Sequence, residues 1–207
     1  MNFSVSFKKK KSKFLCARYR QTQGLGDLTS HFFYDGKVVI KRSDEKPATH
    51  APFIVVTWDA ENLPDEERCS TPEAELVQKL FQCFPFACDE TVANDPQPHV
   101  LSFYVNQSKK LAHSIDPNKV KVIDSAQGSE FQCGIISAGR HDGKPGFLND
   151  RRRVNVAISR FRDQLILVCH RRMLSASTFW MAMASVWRSL NIVVDVGSSR
   201  LFRAKFC

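Results

Sequence analysis

Short apolar runs of strand type alternate with amphipathic, helix-type segments along most of this chain, and no other feature narrows its fold as much. Phe53–Trp58, His99–Tyr104, Val120–Ile123, Cys133–Ala138, Leu165–Cys169 and Ile192–Val196 read as strands. The segments Leu25–Phe33, Gln107–His113, Arg151–Arg162 and Phe179–Leu190 read as helices. A further helix starts at Ser70-Thr71-Pro72-Glu73, which has capping-box spacing with a proline allowed in the first turn. Val77, Leu80, Phe81 and Phe84 then follow at i, i+3, i+4 and i+7, and Val154, Ala157, Ile158 and Phe161 repeat that spacing. A short strand precedes the first helix, and a turn at Tyr34-Asp35-Gly36-Lys37 leads into Val38–Ile40. Polar loops cover 41–52, 87–98 and 139–149, and an acidic loop holds Asp65-Glu66-Glu67. Strands alternating with helices predict an α/β domain with a mainly parallel sheet and crossover connections. The Trp180, Met183 and Trp187 stripe has helical spacing and reads as core.

At 207 residues and 43% hydrophobic content the chain is long enough for one ordinary domain with a buried core. No apolar run approaches a bilayer span, and no apolar stretch follows the early lysines as in a signal peptide, so no membrane or secreted role is expected. The net charge is +9 and is unevenly spread. Residues 1–20 hold seven Lys/Arg and no acid, residues 58–99 are net −8, and residues 150–207 are net +8. Such separation suits an anionic partner, polyphosphate or nucleic acid, and equally suits a solvated basic face. Lys8-Lys9-Lys10-Lys11-Ser12-Lys13 reads as a solvated tail, with a nuclear import signal as the alternative. The seven cysteines, at 16, 69, 83, 88, 133, 169 and 207, show no CxxC pair. Hence no metal site is expected, Cys133 and Cys169 read as small core residues, and the chain reads as reduced and intracellular, in nucleus or cytoplasm.

Two segments carry chemistry. In Val122-Ile123-Asp124-Ser125-Ala126-Gln127-Gly128-Ser129-Glu130-Phe131 a strand runs into a polar turn. Open α/β sheets place ligands at strand C-terminal ends, and a glycine lets backbone approach a phosphate or sugar closely. Gln127 and Glu130 suit a ribose, a water or a metal-bound phosphate. In Asp150-Arg151-Arg152-Arg153-Val154-Asn155-Val156-Ala157-Ile158-Ser159-Arg160-Phe161-Arg162, arginines are interleaved with apolar positions and Arg160 falls near the helix end. A planar guanidinium suits phosphate and stabilises transferring phosphoryl charge. Taken singly, the two segments are also compatible with a capped loop and a basic surface helix.

In this order and spacing the two segments resemble motifs V and VI of superfamily 1 helicases, in the group that includes the nonsense-mediated-decay RNA helicase and senataxin. The second motif extends back to Gly146-Phe147-Leu148-Asn149. Ser129 stands where Arg is usual, and Phe161 where Ala is usual. Arg18-Tyr19-Arg20 and Phe33-Tyr34-Asp35-Gly36-Lys37 resemble a further landmark, with Gln21-Thr22-Gln23 replacing Met-His-Pro. Ser70–Val77 is similar to the group's N-x-x-EA-x-x-V helix start, and Phe103-Tyr104-Val105-Asn106-Gln107 to its motif IV. The resemblance spans about residues 14–190. It implies a RecA-like, P-loop-NTPase-type domain, the second motor lobe only, over 14–196, with tails at 1–13 and 197–207. It also implies roles. Tyr19 would stack near adenine, and Arg20 and Arg160 would reach the γ-phosphate as arginine fingers. Gln127, Gly128 and Glu130 would line the nucleotide cleft. Tyr104, Gln107, Ser125 and Asn155 would face the nucleic acid.

The sequence carries no G-x-x-x-x-G-K-[ST] string, and Asp65-Glu66-Glu67 follows Asn62-Leu63-Pro64 rather than a buried strand. The first motor lobe is therefore expected to be missing from this chain, with ATP and Mg²⁺ engaged only if a Walker-A-bearing lobe is supplied in trans or in a longer product. Single-stranded RNA or DNA is the expected partner. The alternative is a non-catalytic nucleic-acid-binding or regulatory module on the same fold. A metal or serine hydrolase is disfavoured, because the six histidines show no HExxH pairing and no G-x-S-x-G string occurs.

Overall fold

The structure, a computed structural model, describes residues 17–18, 21–41, 51–60, 68–84, 97–186 and 190–195. The two tails, the lysine run, Tyr19, Arg20, the acidic loop at 65–67 and Trp187 lie outside the described residues. In chain order the elements are β1 (Ala17–Arg18), α1 (Gln23–Tyr34), β2 (Val39–Ile40), β3 (Phe53–Asp59), α2 (Thr71–Gln82), β4 (His99–Ser102) and α3 (Val105–Leu111). There follow β5 (Val120–Val122), β6 (Phe131–Ser137), α4 (Arg151–Ser159), β7 (Phe161–His170), α5 (Arg171–Ala176), α6 (Thr178–Val186) and β8 (Leu190–Asp195).

β1 and β2 form a separate parallel pair, and the other six strands form one sheet in the order β5-β4-β6-β7-β3-β8. Every pairing in it is parallel. A parallel sheet is covered on both faces, which explains why Phe53–Val56 of β3 and Leu165–Cys169 of β7 are continuous apolar runs instead of alternating. On one face Val55, Leu165 and Leu167 pack with Leu25 and Leu28 of α1, Val154, Ala157 and Ile158 of α4, and Trp180 and Met183 of α6. On the other, Ile54, Val56, Ile166 and Val168 pack with Ala74, Val77 and Leu80 of α2 and Leu111 of α3. The RecA-like α/β architecture read from the sequence is the one observed.

Three local readings are corrected. The α4 helix stops at Ser159, and Phe161 opens β7 opposite Phe131 instead of extending the helical face. A residue one turn beyond a helix's apolar stripe reaches the same layer whether the chain stays helical or becomes a strand, so spacing alone did not separate the two. The helix read as Phe179–Leu190 is α6, Thr178–Val186, and a short helix not read from the sequence, α5, precedes it across Ser177, whose hydroxyl donates to Asn149 Oδ1 at 2.6 Å. Leu190, read as the end of that helix, begins β8. Cys133 is buried as expected but is disulfide-bonded, whereas Cys169 is a buried free thiol.

Gly134 of β6 marks the tightest point of the sheet. A Cβ there would collide with the backbone carbonyl of His99 and with the ring of Phe161, and the carbonyl belongs to the ladder between β4 and β6. Gly134→Ala is expected to lower stability by about 1–3 kcal/mol, as overpacking against fixed backbone does. Urea unfolding checks it; a wild-type midpoint and slope would show that the sheet yields at this point.

Candidate nucleotide and nucleic-acid site

Asp150 starts α4 as its N-cap, accepting from the backbone N–H groups of Arg152 at 3.0 Å and Arg153 at 3.3 Å. At its far end Arg160 caps the helix, and its guanidinium is held by neutral acceptors. Nε donates to Val156 O at 3.2 Å, Nη1 to Ser129 O at 3.1 Å and Nη2 to Ser159 Oγ at 3.0 Å. The N–H of Phe131 donates to Arg160 O at 2.9 Å, and Glu130 lies 3.7 Å from Arg162 Nε as an ion pair. Gln127, Gly128 and Glu130 are exposed. Gly128 has φ +87° and open space where a side chain would stand. These residues thus gather around the point where β6 and β7 begin.

That position corrects the sequence reading. The turn Ile123–Ala126 does follow the C-terminal end of β5, beside Ser102 of β4. The next residues, however, run back over the sheet face to the N-terminal end of β6, because Phe131 pairs with Phe161. Gln127, Gly128 and Glu130 therefore sit at the N-terminal edge of the sheet, opposite the edge where Asp124 and Ser125 lie.

At the C-terminal edge, Arg153 grips Asp124 with Nε to Oδ1 at 2.9 Å and Nη2 to Oδ2 at 3.1 Å. This fork holds the guanidinium pKa above its ordinary value. The Arg153 guanidinium lies 3.8 Å from the Phe147 ring centroid, Phe147 stacks on Tyr104 at 5.2 Å, and Arg140 lies 5.7 Å from the Tyr104 centroid. Ser125 is exposed and donates to Val122 O at 2.8 Å.

Two residues expected at the nucleic acid are instead internal. Gln107 is fully buried; its Oε1 accepts from the Ser70 N–H at 2.8 Å and its Nε2 donates to Ser137 Oγ at 3.0 Å. Tyr104 is only 4% exposed, and its hydroxyl accepts from the Phe147 N–H at 3.2 Å. In this arrangement neither side chain is free to meet a strand; both fix the loops that surround it. Asn155 is half-buried and donates to Tyr34 Oη at 3.0 Å, so it ties α4 to α1.

The sequence reading also missed Glu73. Ser70 caps α2 as the motif predicts, but Glu73 does not return to it. It is wholly buried, its Oε1 accepting from Ser137 Oγ at 2.6 Å and the Gly139 N–H at 2.7 Å, its Oε2 from Trp58 Nε1 at 3.0 Å. Burial outweighs these donors and pushes its pKa up to about 7. The one signal in the string is the similarity of Ser70–Val77 to the N-x-x-EA-x-x-V helix start, whose glutamate falls on Glu73. Among the described residues no group of three or more His, Cys, Asp or Glu side chains could hold a metal, and no helix is long and apolar enough to cross a membrane.

A family model described as an AAA domain matches residues 2–172. The chain belongs to that family. Among curated relatives, Regulator of nonsense transcripts 1 of Dictyostelium discoideum is 26% identical over 205 residues, covering 87% of this chain and 15% of its own length. Putative regulator of nonsense transcripts 1 of Takifugu rubripes is 30% identical over 203 residues, covering 87% of this chain and 18% of its own. Helicase SEN1 of Saccharomyces cerevisiae is 27% identical over 208 residues, covering 85% and 9%. These relatives put this AAA domain in the superfamily 1 helicase group that its motifs resemble. It spans less than a fifth of the length of each of the three.

Within this AAA domain, α4 connects the two edges. Its first turn holds Asp124 through Arg153, and its last residues hold Ser129 through Arg160. The segment 124–129 and the helix lie side by side and are fastened at both ends.

Proposed function

We propose that this AAA domain is the C-terminal motor lobe of an ATP-dependent RNA or DNA helicase, with its body over 14–196 and tails at 1–13 and 197–207. The carrying observation is the double fastening of α4, with Arg160, Gln127, Gly128 and Glu130 at one edge and Asp124, Ser125 and Arg153 at the other. A motor must couple nucleotide state to its grip on a strand, and a helix clamped to both edges suits that task. In this reading ATP is the substrate, and Arg160 and Arg20 approach its γ-phosphate. In this reading the Mg²⁺ ligands and phosphate cradle come from a first lobe, since the sequence carries no G-x-x-x-x-G-K-[ST] string. Nucleic acid meets the C-terminal edge, where Ser125, Lys144 and Arg152 are exposed.

The test is binding of single-stranded RNA by the purified chain across a salt series, with ATP turnover measured alongside. Salt-sensitive binding with little turnover is expected. The double change Lys144→Glu and Arg152→Glu is expected to lower the magnitude of the salt slope by roughly 1–2, in line with loss of phosphate contacts. An unchanged slope would remove this edge from the interface. The engagement of Arg160 with three internal acceptors favours a second reading, a non-catalytic nucleic-acid-binding module. Nucleic-acid binding that stays independent of nucleotide even beside a Walker-A-bearing lobe would select it.

A further inference from the structure

We infer that Gln21 is a positioning residue for Arg160, setting the pose of its guanidinium. The inference rests on the motor-lobe reading above. Gln21 is fully buried, and its Nε2 donates to Ile158 O and to Phe161 O, each at 3.0 Å. Those two carbonyls flank Arg160 on its N- and C-terminal sides. The amide is oriented from behind: Thr29 Oγ1 lies 3.1 Å from Gln21 Oε1 and 2.8 Å from Leu25 O, sharing its one proton between them.

The next residue continues the clasp. Thr22 donates its N–H to Arg162 O at 2.8 Å and its hydroxyl to the same carbonyl at 3.2 Å. Residues 21 and 22 thus hold the carbonyls of 158, 161 and 162 across the turn where α4 becomes β7. A helix end leaves carbonyls without intrahelical partners, and a buried carbonyl left unpaired is costly, so this turn needs an external donor. Gln21 supplies one fork that reaches both sides of Arg160, which an apolar side chain of the same length cannot do. The direction in which the Arg160 guanidinium leaves the backbone, toward Ser129 O, follows from that fork.

The experiment uses the full chain, ¹⁵N-labelled, and follows the arginine Nε–H resonances, with Arg160 assigned by its loss in Arg160→Ala. Arg153, bound to Asp124, is the internal control. In Gln21→Met the Arg160 Nε–H is expected to shift and to exchange faster with solvent while Arg153 is unmoved. An Arg160 signal identical to wild type would overturn the inference. Inorganic tripolyphosphate is the second probe. Gln21→Met is expected to weaken its binding by at least about threefold in the wild-type background and by nothing further in Arg160→Ala, the mark of residues acting as one unit. Equal weakening in both backgrounds would make Gln21 merely structural and also overturn it. Should Gln21→Met not fold, Thr29→Val, which removes only the orienting hydroxyl, carries the same comparison with a smaller expected shift. Failure of tripolyphosphate to perturb Arg160 in the wild-type chain would instead overturn the motor-lobe reading, and the resonance comparison would still decide whether Gln21 sets the pose.

Discussion

Replacing Arg160 by alanine is expected to slow ATP turnover by at least about a thousandfold, once a lobe carrying a phosphate cradle is present, while raising the nucleotide dissociation constant far less. The reason lies in what the guanidinium touches. Three of its contacts, to Val156 O, Ser129 O and Ser159 Oγ, are to uncharged groups. Hydrogen bonds to a charged oxygen are roughly twice as strong as those between neutral groups. The exchange from these resting partners to a phosphate therefore gains most when negative charge concentrates on the transferred group. An interaction realised chiefly in the transition state lowers kcat when it is removed, and changes binding little. Arg160→Lys is expected to recover only a small part of the loss, because an ammonium on a flexible stem lacks the planar fork. Measuring kcat and the dissociation constant separately checks this, and equal losses in the two would remove the finger role from Arg160.

The parts of the molecule that were legible in the string are those where one physical requirement dominates. The apolar runs of β3 and β7 could only be strands buried on both faces, and they pair with each other from Phe53 opposite Leu165 to Trp58 opposite His170. Ser70 before a helical stripe signalled a helix start, and it caps α2. Polar residues were less transparent, because side-chain chemistry does not announce burial. Gln107 and Tyr104 have the hydrogen-bonding groups of a nucleic-acid contact, yet those groups are taken up by Ser70, Ser137 and Phe147. Gln21 stood out in the string only as a departure from the family pattern, since its partners lie 137 and 140 residues away. The placement of Gln127 to Glu130 failed for a different reason. β5 has only three residues, and the chain after it crosses the whole depth of the sheet before β6 begins. A rule about strand ends then points to the wrong edge.

Glu73 gives the largest expected effect on stability, and its sign can be worked out. Its pKa is 4.5 in the unfolded chain and about 7 in the fold, with burial the leading cause. Below pH 4.5 the carboxyl is protonated in both states and the fold carries no penalty from it. Between there and about pH 7 the folded protein keeps a proton that the unfolded chain has released, so the unfolding free energy falls as pH rises, and above that range the loss is complete. A shift of this size corresponds to about 3 kcal/mol. His170 acts in the opposite sense, because burial lowers its pKa and the fold loses stability as that imidazole is forced to protonate at low pH. The bare stability curve therefore mixes the two groups, and the informative quantity is the difference between wild type and Glu73→Gln, since glutamine cannot titrate. That difference is expected to favour wild type most near pH 4.5 and to shrink by about 3 kcal/mol by pH 8; urea unfolding at intervals across this range measures it, and a constant difference would show that Glu73 keeps an ordinary pKa. The same carboxyl accepts from the N–H of Gly139, two residues past the end of β6 in the loop that carries Arg140 and Phe147 and leads into α4.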